Sequence, residues 1–153
     1  SSAIGKMVNR RSALLATAES CTGGLIAHRI TETPGSSAYF KGGIVAYSNE
    51  IKEQLLGVKH ETLEQYGAVS EETAIEMARG CLTKMGVDYA IATTGIAGPD
   101  GGTPEKPAGT VWVAVATPEG IVSKKFSFNS TRRNINIERF ASNALNMLRL
   151  QLN

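Results

Sequence analysis

Three short apolar runs, residues 13–18 (ALLATA), 42–47 (GGIVAY) and 87–94 (VDYAIATT), alternate with stretches of helical spacing. Apolar runs bounded by turn residues read as buried strands. Their alternation with helices predicts a sheet covered on both faces. Residues 1–11 read as a short helix. Residues 22–31 predict another, with Leu25, Ile26 and Ile30 inward and Thr33-Pro34-Gly35 ending it. Ser48 opens a helix through Leu56 that Gly57 stops. Ser70-Glu71-Glu72 places a cap residue and two acids at the positive end of a fourth, which carries Ala74, Ala78, Cys81, Leu82 and Met85 at helical spacing up to Gly86. Residues 110–117 and 121–128 form a hairpin around Pro118-Glu119-Gly120. A final helix runs from about residue 133 to 152 with Ile137, Phe140, Ala141, Ala144, Leu148 and Leu152 as its buried stripe. The predicted fold is α/β, a three-layer α/β/α sandwich on a mixed, mostly parallel sheet, in a single domain over residues 1–153.

Composition narrows the function classes. A net charge of +2 and the lack of a basic, aromatic-interleaved cluster give no footprint for nucleic acid or an anionic membrane. The pairs Arg10-Arg11 and Arg132-Arg133 read as solvated faces. No apolar run has the length of a membrane span. Two cysteines, Cys21 and Cys81, make no disulfide framework, and two histidines, His28 and His60, supply no zinc spacing. A reducing, cytoplasmic setting is expected, with no metal or redox cofactor. The chain opens on Ser1 rather than Met, so either a trimmed N-terminus or a piece of a longer protein is expected.

In open α/β sheets ligands settle beyond the carboxyl ends of strands. Three polar, glycine-rich segments follow the three apolar runs: AESCTGG, AYSNEIK and TTGIAGPDGG. The last belongs to a loop over residues 95–109, far longer than a simple connection. In ATAESCTGG, Ser20, Cys21 and Thr22 each carry a nucleophilic atom. The plain reading is a strand-to-helix turn with Ser20 or Thr22 as cap. The chemical reading uses the same turn, whose free backbone N–H groups near Gly23 and Gly24 would hold an oxyanion or a phosphate. His28, eight residues beyond Ser20, is ~12 Å away along a helix, so a Ser-His-Asp triad is unsupported. His60 reads as part of a polar loop. Cys21 is a candidate thiolate at a helix start or a small buried apolar group. Lys52 falls one turn into the helix capped by Ser48, and helical side chains lean back toward the N-terminus, here toward Tyr47 and Ser48. Burial and the positive helix end would both lower its pKa toward that of a usable base. The plain alternative is a surface lysine paired with Glu50 or Glu53. TGIAGPDGG matches neither a P-loop nor the dinucleotide fingerprint, though its glycines suit an anion nest, and Asp100 reads as a turn residue.

AESCTGG, PGSSAYFKGGIVAYSNEIKEQLLGV, GAVSEETAIEMARG and TTGIAGPDGGTPEKPAGTVWVAVAT, taken in order, resemble the CinA C-terminal domain family, whose enzymatic members are nicotinamide-nucleotide amidases (NMN deamidases). The resemblance implies a Ser/Lys amidohydrolase that converts nicotinamide mononucleotide to nicotinic acid mononucleotide and ammonia. Within the matching motifs it implies Ser20 as nucleophile, Lys52 as general base and Tyr47 as helper. It places Cys21, Thr22, Gly23, Gly24, Ser48, Thr94, Gly95, Ala97, Gly98 and Arg132 around the substrate. The partner is then a small-molecule nucleotide, and a homo-oligomer is expected. The family pattern has Gly-Asp-Arg before the last helix and another arginine soon after. Here Arg132 aligns with the motif arginine, Ser130 and Thr131 replace the glycine and the acid, and Asn136 falls where the next arginine would be. The reading from another class is a nucleotide-binding or regulatory domain without turnover, in which Lys52 stays charged.

Overall fold

The computed structural model describes residues 2–153. Residue 1 of the helix expected over 1–11 lies outside them, and the rest forms α1 (Ser2–Arg10). The order continues as β1 (Leu15–Glu19), α2 (Leu25–Thr31), a 3₁₀ turn (Ser36–Ala38), β2 (Phe40–Val45), α3 (Asn49–Leu56), α4 (His60–Tyr66), α5 (Glu71–Met85), β3 (Tyr89–Gly95), β4 (Thr110–Thr117), β5 (Gly120–Ser127) and α6 (Arg133–Gln151). Among the described residues no helix is long and apolar enough to cross a membrane.

The five strands lie in the order β2-β1-β3-β4-β5. β1 is parallel to both β2 and β3, while β3–β4 and β4–β5 are antiparallel. β4 alone therefore runs against the other strands, so the sheet is mixed with most strands pointing one way. Side-chain alternation divides the core in two. Leu15, Ile91, Val111, Val113 and Val115 pack with α1, α2 and α6. Ala16, Ala18, Ala90, Ala92, Ala114 and Ala116 face α5 and the ends of α3 and α4. Alanines on that side let α5 approach the sheet closely. A similar close approach requires Gly80, where a Cβ would run into the main-chain carbonyl of Leu56 at the end of α3. Cys81 is fully buried in this second core, as its helical position predicts.

Besides the start of α2, two elements depart from the sequence pattern. His60 does not sit in a loop: it opens α4, a two-turn helix whose Lys59 cap position makes no side-chain cap. With neither cap chemistry nor a long apolar stripe, HETLEQY gave little helical signal. β2 begins at Phe40, two residues before the expected run, because Phe40 pairs with Leu15 ahead of an irregularity in the ladder.

From β1 the chain passes through α2 to β2 on one side, then returns through α3, α4 and α5 to β3 on the other. The connections diverge at the carboxyl ends of β1 and β3, which is where open α/β sheets form a crevice.

Candidate active site

β1 ends at Glu19, and Ser20 is the first residue beyond it. The Ser20 N–H donates to the Thr93 carbonyl at 3.1 Å, which ties the turn to β3. Gly23 and Gly24 adopt φ of 60° and 105°, a left-handed conformation that L side chains rarely adopt. The tight turn delays the start of α2 to Leu25, and neither Ser20 nor Thr22 caps it. Glu19 does so instead. Its Oε1 accepts from the N–H groups of Gly24 (3.2 Å) and Ile26 (2.9 Å), and Oε2 from Ala27 (3.0 Å). Oε1 also accepts from the Thr22 hydroxyl at 2.6 Å, which lies 2.9 Å from the Thr93 hydroxyl. A carboxylate reaching back from a strand end supplies what a cap side chain usually does, with the favourable charge for a helix N-terminus. The Gly23 N–H meanwhile donates to the Ser20 carbonyl. Both glycine amides expected to hold an oxyanion are therefore already engaged. The amides of Cys21 and Thr22 make no hydrogen bond to another described residue, and the Cys21 N–H engages only its own thiol.

Ser48 caps α3 through a hydrogen bond from the Ile51 N–H, and Lys52 lies one turn in. Its Nζ stands 2.9 Å from Ser20 Oγ and 3.0 Å from the main-chain carbonyl of Tyr47. Lys52 is 1% exposed and Ser20 7%. The surface-pair alternative fails because Glu50 and Glu53 turn away, toward Gln54 and His60. Burial lowers the Lys52 pKa from its ordinary value, only partly opposed by the nearby Cys21 thiol. That favours the neutral amine. Burial pushes the Cys21 thiol up to about 12, against its own backbone N–H and Lys52, so a thiolate is disfavoured. His60 takes no part in this cavity. It bridges Glu53 at 3.2 Å and Glu64 at 2.9 Å on the outer face of α3 and α4.

Ser20 and Lys52 lie in a cavity of about 270 Å³ that Cys21, Tyr47, Thr94, Gly95 and Ala97 also line. The Thr94 hydroxyl donates to the Ala68 carbonyl at 2.7 Å, which holds the segment before α5 against β3. Six of the residues expected around the substrate do not line this cavity. Thr22 is spent on Glu19 and Thr93, Gly23 and Gly24 shape the turn, Ser48 is a helix cap, and Gly98 presents its carbonyl to Arg133 at 2.9 Å. Arg132 lines a separate recess with Pro107, Ala108 and residues 129–131. Both arginines of the pair are exposed, as a solvated face requires, but Arg133 also lines the Ser20 cavity. Its second nitrogen donates to the Tyr47 hydroxyl at 3.0 Å. Asn49, Val69, Ile96 and Asp100 line the cavity as well. Glu19 had one visible signal, a charge at the end of an apolar run. Arg133 had another, an arginine pair at the positive end of a helix without a cap.

The fold is an α/β/α domain with a hydroxyl and a buried amine gathered at the switch point of its sheet, the crevice in which open α/β sheets hold ligands. The CinA C-terminal domain family model matches residues 1–152, and the chain belongs to that family. It is 56% identical over 153 residues to a CinA-like protein of Chloroherpeton thalassium, covering 98% of this chain and 36% of that protein. It is 57% identical over 131 residues to a CinA-like protein of Chlorobium chlorochromatii, covering 84% and 31%. The chain thus spans about a third of the length of these curated relatives. Among solved structures, the competence/damage inducible protein CihA of Agrobacterium tumefaciens matches with a TM-score of 0.90 at 40% identity, covering 98% of this chain and 95% of that one. A CinA superfamily protein of Klebsiella pneumoniae matches with 0.93 at 36% identity, covering 98% and 93%.

Proposed function

We propose that this domain hydrolyses the carboxamide of nicotinamide mononucleotide to nicotinic acid mononucleotide and ammonia by a Ser/Lys mechanism. The carrying observation is the 2.9 Å contact between the Lys52 amine and the Ser20 hydroxyl, both buried, at the strand ends. A neutral amine has two protons and one lone pair. One proton goes to the Tyr47 carbonyl, which turns the lone pair toward Ser20. Lys52 takes the Ser20 proton as Oγ attacks the carboxamide carbon, and the carbonyl π pair moves onto oxygen. The Cys21 N–H, beside the nucleophile and engaged only by its own sulfur, is the donor proposed for that oxyanion. The tetrahedral intermediate collapses, the C–N bond breaks, and Lys52 returns its proton to the departing nitrogen, which leaves as ammonia. Water, deprotonated by Lys52, then cleaves the acyl ester. Lys52 hands the proton to Ser20, and the acid is released.

The test is ammonia release from nicotinamide mononucleotide by the wild type and by Ser20→Ala. Turnover by the wild type and a loss of about 10³-fold or more in the variant are expected. Binding without ammonia from the wild type would make this a ligand-binding module. Full activity in Ser20→Ala would remove the nucleophile.

A further inference from the structure

We infer that Arg133 is the phosphate-binding residue of this site and sets its preference for a nucleotide over the corresponding nucleoside. The inference rests on the nucleotide reading above. The charges lining the cavity are those of Lys52, Arg133 and Asp100. Lys52 is buried at the reacting hydroxyl and favoured as the neutral amine. Arg133 is therefore the permanent cation of the cavity. Among the described residues it forms no ion pair with any carboxylate, Asp100 included.

Its guanidinium is nevertheless held in place. Nη1 donates to the Gly98 carbonyl at 2.9 Å and Nη2 to the Tyr47 hydroxyl at 3.0 Å. A guanidinium has five N–H donors in a fixed fork, so three remain for an anion. Two neutral acceptors orient the fork without neutralising it. The surroundings add to the demand for negative charge. α6 starts with Arg132 and Arg133, has no acid in its first turn and no side-chain cap. Cations at the positive end of a helix dipole are unfavourable, and an anion on Arg133 relieves this. The two positions at which the family pattern carries arginine do not serve the cavity here. Arg132 lines the recess beside Pro107. Asn136 is fully buried and donates to the carbonyls of Ala97 (2.8 Å) and Ser130 (2.9 Å), which fixes the loop that carries Gly98.

The test compares nicotinamide mononucleotide with nicotinamide riboside, which lacks only the phosphate, on the wild type, Arg133→Met and Arg132→Met. The wild type should favour the nucleotide in kcat/KM. Arg133→Met should reduce that preference by about 10- to 100-fold, through KM rather than kcat. Arg132→Met should keep it. Equal losses on both substrates in Arg133→Met would make Arg133 a clamp for Tyr47 and overturn the inference, as would a collapse of preference in Arg132→Met alone. If the wild type releases no ammonia, the hydrolytic reading fails while Arg133 is still read, by calorimetric binding of both compounds to the same three proteins. Loss of the binding preference in Arg133→Met supports the inference. An unchanged preference, or no nucleotide binding by the wild type, overturns it.

Discussion

The floor and the rim of the cavity are built on opposite terms. On the floor, Glu19 and Lys52 are each 1% exposed and Ser20 7%, and Thr22 and Thr93 link hydroxyl to hydroxyl beneath them. On the rim, Tyr47 is 61% exposed, and Arg133 and Asp100 also face solvent. Proton transfer between an amine and an alcohol needs a fixed short distance and a low dielectric, which only the floor supplies. Recognition of a charged group needs orientation but tolerates water, so hydrogen bonds to Tyr47 and Gly98 are enough for Arg133. The cavity thus separates a buried hydroxyl–amine pair, to which the proposal assigns the reaction, from an exposed set of polar groups, to which it assigns selection.

Removing the amine from the floor should have the largest effect. Lys52→Met keeps the length and burial of the side chain but loses the base, and ammonia release should fall by about 10³-fold or more. The same variant should be more stable than the wild type by about 1 kcal/mol, because burying an amine is costly and burying a thioether is not. Chemical denaturation gives both stabilities and their pH dependence. The folded-state pKa of Lys52 is lowered from 10.5, so between the two values the unfolded chain binds more protons. Wild-type stability therefore rises with pH across that window, and the advantage of Lys52→Met should shrink as pH approaches the unfolded value. Activity should follow the same sign, with kcat/KM increasing with pH through the lowered Lys52 pKa. A profile that falls with pH over that range would mean that the charged amine is the working form.

Glu19→Gln comes next. The carboxylate accepts from three main-chain N–H groups and the Thr22 hydroxyl. An amide has one acceptor oxygen, and its NH₂ would face a donor. The loss should be about 3 kcal/mol, or roughly 10 °C in Tm. Because Glu19 precedes Ser20, kcat should fall more than KM rises. A variant with wild-type melting and kcat would show that the turn is set by Gly23 and Gly24 alone.

These two groups also mark what could be read from the amino-acid order. β1, β3, α5 and the hairpin followed from apolar runs, caps and turns, signals local to each segment. The position of Lys52, one turn past a serine cap, directs its side chain toward Tyr47, but its burial, which decides against a surface pair with Glu50 or Glu53, is not local to that segment. The choice of Ser20 over Cys21 was not legible, since it depends on burial that only the packed sheet creates. Glu19 as a cap was hidden because its partners lie five to eight residues on, outside the usual capping spacing. Arg133 was hidden because the phase of α6 at its first residue decides which of two adjacent arginines enters the cavity.

Cys21→Ala should matter less than either. The thiol is buried, pushed up to about 12 and therefore a poor nucleophile near neutrality. Its amide, not its sulfur, is what the proposed chemistry uses. Activity within about fivefold of wild type is expected, with about 1 kcal/mol lost to packing. Inactivation without unfolding would move the nucleophile from Ser20 to Cys21.

Tyr47 belongs to both regions, and Tyr47→Phe sharpens the boundary with the smallest effect. The substitution leaves the main-chain carbonyl that accepts from Lys52 at 3.0 Å. It removes the hydroxyl that accepts from Arg133 at the same distance. If the floor uses only the carbonyl, kcat should stay within about threefold of wild type, while loosening one of the two tethers of Arg133 raises KM by a similar factor, the size of one exposed hydrogen bond. A fall in kcat of about 10²-fold would instead put the phenol in the proton path, as expected of a general acid. The division would then run through the side chain of Tyr47 rather than between its carbonyl and its ring.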